Sequence, residues 1–362
     1  MEPADRDRIL THDWAQDSPR LRGVQLFDKQ KLPGQPGPFI QIAQIDGRCV
    51  FLEEDNLCLI HRVLGEGAKP FTCRRFPHLL GRTAEEVLVG ADYACPALIR
   101  NEGEPFTPRQ ELVREWLEAS ARGDGLGPQR VIDPEAVLAP GLRLSWLAYL
   151  GLERALLEIL TRREFPVTKR WLAGGTLLSA IAAWGSGLRW LEEPEVAAWL
   201  RGWEEEGYRR AFEERTAYSG TLSLPEIPRL ATLIGYSETP HTATSGPGSA
   251  AIGYAMAVAS GSGSLYLSTL EEWVDLETLG SVERDLDRPE FDDYLTRFLS
   301  NYLLRKSLLE SPHLEEGWDY LGNCLALAGW YAAASAVVHG CERVDEEDLV
   351  AGIQVVEKAY VP

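Results

Sequence analysis

The stretch CVFLEEDNLCLIHRVLGEGAKPFTCRRFPHLL, residues 49–80, divides the chain into two kinds of sequence. It holds Cys49, Cys58 and Cys73 among Gly65, Gly67, Pro70 and Pro77, residues that stop helices and strands and let a chain bend round a centre. Cys95 and Pro96 follow, and short β-type runs, FIQIAQI before the stretch and EEVLVGADY after it, complete a small irregular unit. Four cysteines within forty-seven residues supply a tetrahedral set of thiolates for a soft divalent metal or an iron–sulfur centre. Their intervals of eight, fourteen and twenty-one residues match no C-x-x-C knuckle. Spacing alone therefore leaves metal binding and buried, inert thiols as equal alternatives.

Upstream, residues 5–14 read as a short polar helix and LPGQPGPF, residues 32–39, as a loop broken by proline and glycine. Downstream the pattern turns helical. From Thr107 onward Leu112, Val113, Trp116 and Leu117 share one face, and further helices are expected over 145–163, 167–184, 193–218, 287–310, 314–338 and 346–360. The expected fold is mainly α: a cysteine-containing unit with short strands over 1–104, then a helical domain over 105–362. At 362 residues the chain exceeds the size of one core, in keeping with two units. Residues 237–264 are rich in Gly, Ser and Ala but carry no G-x-G-x-x-G or Walker pattern, and read as a connector around one short Ala-rich helix.

Thirty-six basic against fifty-five acidic side chains give a formal net charge of -19, a field that repels polyanions and argues against nucleic acid as a partner. A composition of 45% hydrophobic and 25% charged residues is that of a globular protein. The opening MEPADRDRILTHDW lacks a signal-peptide core, and no stretch offers eighteen uninterrupted apolar residues, 172–184 coming nearest. Neither export nor a membrane is expected. In the cytoplasm the six cysteines stay reduced, where thiols bind metals, do chemistry or sit buried.

Residue context adds to spacing. The run from Cys49 to Pro77, with Tyr93, Ala94, Cys95 and Pro96 after it, resembles the YkgJ-type cysteine-cluster proteins. In that family C-x-F-L, a short acidic turn, C-x-I-H or C-x-I-Y, K-P or R-P, and C-R-x-F-P form a zinc- or iron-chelating domain. The resemblance implies Cys49, Cys58, Cys73 and Cys95 as ligands of zinc or an iron–sulfur cluster. The same run, notably the leucine–glycine stretch before Lys69, is similar to the flagellin lysine N-methylases. That similarity implies a rival activity, S-adenosylmethionine-dependent methyl transfer to lysines of a protein substrate, with the helical domain forming the cleft. A third reading is a metal carrier or interaction scaffold without catalysis. YLLRKSLL (302–309) and RVDEEDLVAGIQVVEKAY (343–360) are similar to the C-terminal portion of long members. These families open with a packed group such as C-x-x-C-x-x-C-C ahead of a segment similar to 5–14. No cysteine precedes Cys49 here, and the expectation is a reading frame that continues upstream of Met1.

His61, three residues after Cys58, and His78, five after Cys73, are each placed to complete a mixed Cys/His site, though the family slot of His61 also takes Tyr. Local hydrogen bonding is the stronger expectation for both. Lys69, Arg74 and Arg75 form a basic spot that would favour thiolates, against the competing expectation of surface pairing with Glu53, Glu54 and Asp55. Cys324 and Cys341 lie seventeen positions apart in helical sequence, about 25 Å at a rise of about 1.5 Å per residue, and are expected as buried small hydrophobes. Trp171, Trp184, Trp190, Trp199, Trp203, Trp318 and Trp330 recur in helical patterns and are expected as core. No nucleophile elbow, H-E-x-x-H or kinase-type set is present.

Overall fold

The computed structural model describes residues 3–30, 39–45, 48–55, 57–83, 86–102, 113–115, 117–118, 130–133, 135–203, 207, 211–212, 226–238 and 248–361. The protein is mainly α. It forms two compact units, one from Met1–Arg82 with Pro105–Val131, the other from Thr83–Glu104 with Ile132–Pro362.

In the first unit α1 (Pro3–Leu10) and α2 (Trp14–Asp17) precede two antiparallel pairs, Phe27–Gln30 with Phe39–Ile42 and Gln44–Ile45 with Arg48–Cys49. Two more short helices follow, α3 (Leu59–Leu64) and α4 (Phe71–Arg75). Gly65, at φ 83, ends α3. The described core is thin: Ile9, Trp14, Leu21, Ala43, Val50, Phe51, Leu59, Ile60 and Ala68, with Cys49 and Cys58 packed against it. Trp14 joins its parts, donating Nε1–H to the Ile9 carbonyl at 2.8 Å and setting its ring edge on Phe51. Most of the expected loop 32–39 lies outside the described residues, and of the helix expected from Thr107 only 113–115 and 117–118 are described, as helix.

The second unit begins with the strand Val87–Ala91, followed by α5 (Pro96–Ile99) and a hairpin, Ala136–Ala139 with Leu142–Leu144, turned at Gly141 (φ 81). Helices then dominate: α6 (Trp146–Leu160), α7 (Val167–Trp184), α8 (Glu193–Trp203), α9 (Glu226–Glu238), α10 (Gly248–Ser260) and α11 (Leu276–Ser281). The last three are α12 (Asp292–Leu304), α13 (Leu314–His339) and α14 (Glu346–Ala359). A second hairpin, Ser264–Leu267 with Glu272–Asp275, precedes α11. Among the described residues α13 alone is long and apolar enough to cross a membrane, and it is mostly buried inside this unit, the placement of a core helix.

Close approach explains that packing. Trp318 on α13 lies over Gly174 on α7, where a Cβ would sit 2.2 Å from the ring, and Trp171 lies over Gly322 at 2.1 Å. Each indole N–H donates to the other tryptophan's carbonyl, at 3.0 Å from Trp318 and 3.2 Å from Trp171. On the other side a Cβ at Gly352 of α14 would meet the Ala328 carbonyl oxygen at 2.2 Å, so these two helices touch backbone to backbone.

Three expectations need correction. The single helix over 287–310 is a 3-10 turn (Pro289–Phe291), α12, and a second 3-10 turn (Ser307–Glu310). The break is at Lys306, which adopts φ 64 and carries its ammonium to Glu153 at 2.5 and 2.7 Å, both side chains buried. Trp184 and Trp190 are exposed rather than core, whereas Trp318 and Trp330 are buried. Cys324 is fully buried, but Cys341 lies past the α13 cap Gly340 and is only half-buried.

Candidate metal centre

The first unit builds its cysteine site from two separately anchored segments. Cys49 ends a strand opposite Gln44, and the chain turns at once, Leu52 N–H donating to the Cys49 carbonyl at 2.9 Å. It returns through an antiparallel bridge that sets Leu52 beside Cys58, with Leu59 N–H on the Phe51 carbonyl at 2.8 Å. Cys58 thus enters α3 alongside the turn that carries Cys49. Arg20 ties this turn down, its guanidinium donating to the carbonyls of Val50 (3.0 Å) and Leu52 (2.7 Å) and to Glu53 (3.0 Å).

Glu53 also accepts from Arg62 at 2.9 Å. Burial works to raise its carboxyl, but the hydrogen bonds from Arg62 and Arg20 outweigh that and hold it below the usual carboxylate range. The second segment, α4, presents Cys73. Its first N–H, that of buried Phe71, is accepted by the buried Asp5 carboxylate at 3.3 Å, and Asp5 takes a further hydrogen bond from Arg8 at 2.6 Å. Arg8 reaches the Ala68 carbonyl as well, at 3.2 Å, so α1 pins the segment leading into α4.

These anchors bring Cys49, Cys58 and Cys73 within electrostatic reach of one another. Burial is the largest influence on Cys49 and lifts its thiol pKa, and charge on Cys58 lifts it further. The backbone amides of Phe51 and Leu52, which follow it in the turn, and the Arg20 charge act in the opposite direction. Cys73 is exposed on α4, yet the atoms crowded about it push its thiol up, charges on Cys49 and Cys58 add to that, and Lys69 and the Thr72 hydroxyl oppose it. An ordinary thiol is already neutral at neutral pH, and these upward shifts carry both further from ionising. Three sulfurs that repel one another as thiolates form a donor set that a divalent cation would convert from mutual repulsion to attraction.

In type and number the donors suit zinc or an iron–sulfur centre. In spacing they are looser, because among the described residues no three His, Cys, Asp or Glu side chains are gathered as a metal ion requires. Binding would have to draw the two segments together.

Cys95 belongs to the second unit, where it precedes α5 and donates its N–H to the Asp92 carbonyl at 3.1 Å. His61 is exposed on α3. His78 is half-buried, its Nδ1–H donating to the Arg75 carbonyl at 3.1 Å, and burial lowers its pKa against that hydrogen bond. The basic spot is paired otherwise than expected: Arg74 binds Glu115 at 3.0 Å, while Glu53 is taken by Arg20 and Arg62. Lys69 does act on a thiol, that of Cys73. Asp5 and Arg20, which position the site, escaped the sequence reading, since nothing in a polar N-terminal segment marks a partner more than thirty residues away.

No family model, curated protein or solved structure matches the chain.

Proposed function

We propose that the first unit is a metal-binding module in which Cys49, Cys58 and Cys73 supply three thiolates to zinc or an iron–sulfur centre, in a chain that works in the reducing cytoplasm. One observation carries this reading: Cys49 and Cys58 flank one turn, joined by the Leu52–Cys58 bridge and tied down by Arg20, and Cys73 lies on an Asp5-anchored segment of the same unit, near enough for charge on Cys49 and Cys58 to raise its thiol. The metal supplies stability that so thin a core lacks, since structural zinc contributes on the order of 10 kcal/mol of folding free energy in small domains. Three thiolates leave one position of a tetrahedral zinc site to a further ligand.

The test is zinc and iron analysis of anaerobically purified protein, wild type beside Cys49→Ser, Cys58→Ser, Cys73→Ser and Cys95→Ser. One centre per chain, lost in each of the first three variants and kept in the fourth, is the expected result. Metal-free wild-type protein that takes up neither zinc nor iron on reconstitution would refute it. Methyl transfer rests on the sequence resemblance alone. Labelled S-adenosylmethionine with cell lysate and metal-loaded protein tests it, and no label on lysine would remove it.

A further inference from the structure

We infer that the groove between α6 and α8 in the second unit binds a free α-amino acid with an apolar side chain, its carboxylate on Arg154 and Arg201 and its ammonium beside Glu158 and Trp203. The two helices follow paired parallel strands, Trp190–Leu191 on Arg143–Leu144, and so start side by side. The ninth residue of each helix is an arginine, Arg154 on α6 and Arg201 on α8, and both line the groove. Glu158 follows four residues after Arg154, about 6 Å along α6 at a rise of about 1.5 Å per residue, and Trp203 lines the groove from the end of α8.

These charges are free to meet a ligand. Arg154, Arg201 and Glu158 are exposed, and among the described residues none of the three side chains forms an ion pair or a hydrogen bond. The floor between them is open. Gly151, in the middle of α6, has nothing within 4 Å of where a Cβ would stand. Glycine weakens a helix relative to alanine, and no close neighbour requires it here, so what it provides is room beside Ala148, Val196 and Ala197. The water-accessible space is about 270 Å³, a little under the roughly 300 Å³ at which pockets for drug-sized molecules begin, and takes a compact ligand.

The charge pattern selects that ligand. Guanidinium groups suit a carboxylate, and a carboxylate with an aromatic ring near it suits an ammonium. With Glu193, eight residues before Arg201, the groove carries two charges of each sign. A simple cation would meet the arginines, and a simple anion would meet the glutamates and the chain's net charge of -19. A zwitterion offers both poles with no net charge, and its apolar side chain fills the space over Gly151.

Isothermal titration of the full chain with L-phenylalanine tests this, against 3-phenylpropionate, which lacks the ammonium, and phenethylamine, which lacks the carboxylate. Phenylalanine should bind roughly tenfold or more tightly than either. Arg154→Gln and Arg201→Gln should each weaken phenylalanine and leave phenethylamine unchanged, whereas Glu158→Gln should weaken phenylalanine and leave 3-phenylpropionate unchanged. Gly151→Leu fills open space with a helix-forming residue, so Tm should hold or rise while phenylalanine binding is lost. No binding of phenylalanine, equal binding of the three compounds, or wild-type affinity in Gly151→Leu or in the arginine variants would overturn the inference.

Discussion

Replacing Asp5 by alanine should unmoor the helix that presents Cys73. The Asp5 carboxylate is buried, accepts the Phe71 N–H at 3.3 Å and is held by Arg8 at 2.6 Å. A hydrogen bond to a charged group contributes about 1.5–3 kcal/mol, and the buried Phe71 N–H would be left without an acceptor. The Arg8 pair adds little, because that guanidinium is substantially exposed. The loss is about 2 kcal/mol, roughly a thirtyfold shift in the opening equilibrium of the segment around α4.

Hydrogen exchange read by mass spectrometry should show protection falling in peptides covering 66–75 while α13 is unchanged. Zinc affinity, measured by chelator competition, should fall by up to the same factor if Cys73 is a ligand, because only the closed segment binds. Asp5→Asn keeps an acceptor for Phe71 and should recover part of both. Unchanged protection would refute the anchoring role, and lost protection with unchanged affinity would remove Cys73 from the site.

Cys49 and Cys73, with thiol pKa values raised above the ordinary value, are neutral at pH 7, so zinc binding should release at least two protons, measurable by titration calorimetry in buffers of different ionisation heat. Release near zero would exclude the thiols. In metal-free protein the raised thiol pKa values favour the folded unit below the unfolded thiol pKa, and that stabilisation should be lost as pH rises through the folded values, as urea titrations across alkaline pH would show. Glu53, whose folded pKa is lowered, works in the other direction: its contribution is present at neutral pH and lost as pH falls through the folded value. Glu53→Gln should thus destabilise the first unit at pH 7, and its difference from wild type should shrink as pH falls through the lowered folded value. In the second unit Gly174→Ala places a Cβ 2.2 Å from the Trp318 ring, displacing the indole from its hydrogen bond to Trp171. A cost of about 1–3 kcal/mol, read as a drop in Tm of several degrees, is expected.

The helices were most legible where local signals bracket them. Pro166 and Gly185 flank α7, and Gly340, left-handed at φ 72, stops α13, so both lie within a residue of their expected ends. Both second-unit hairpins carried signals that went unread. Pro140–Gly141 is a turn dipeptide, and in SLYL every second residue, Leu265 and Leu267, is buried. The break at Lys306 had no local signal, because its cause is the buried carboxylate of Glu153, more than a hundred residues away. At the candidate site the cysteines were legible from their clustering, whereas the bridge that sets Leu52 beside Cys58 is a tertiary fact. The anchoring by Asp5 and Arg20 depends on contacts that no periodicity records.

The most direct measurement of the central claim is the X-ray absorption fine structure of the zinc-loaded full chain. Three thiolate ligands require a shell of about three sulfurs at about 2.3 Å, with one lighter atom completing the coordination. A shell of oxygen and nitrogen alone, or the same sulfur shell in a Cys49→Ser, Cys58→Ser, Cys73→Ser triple variant, would contradict it.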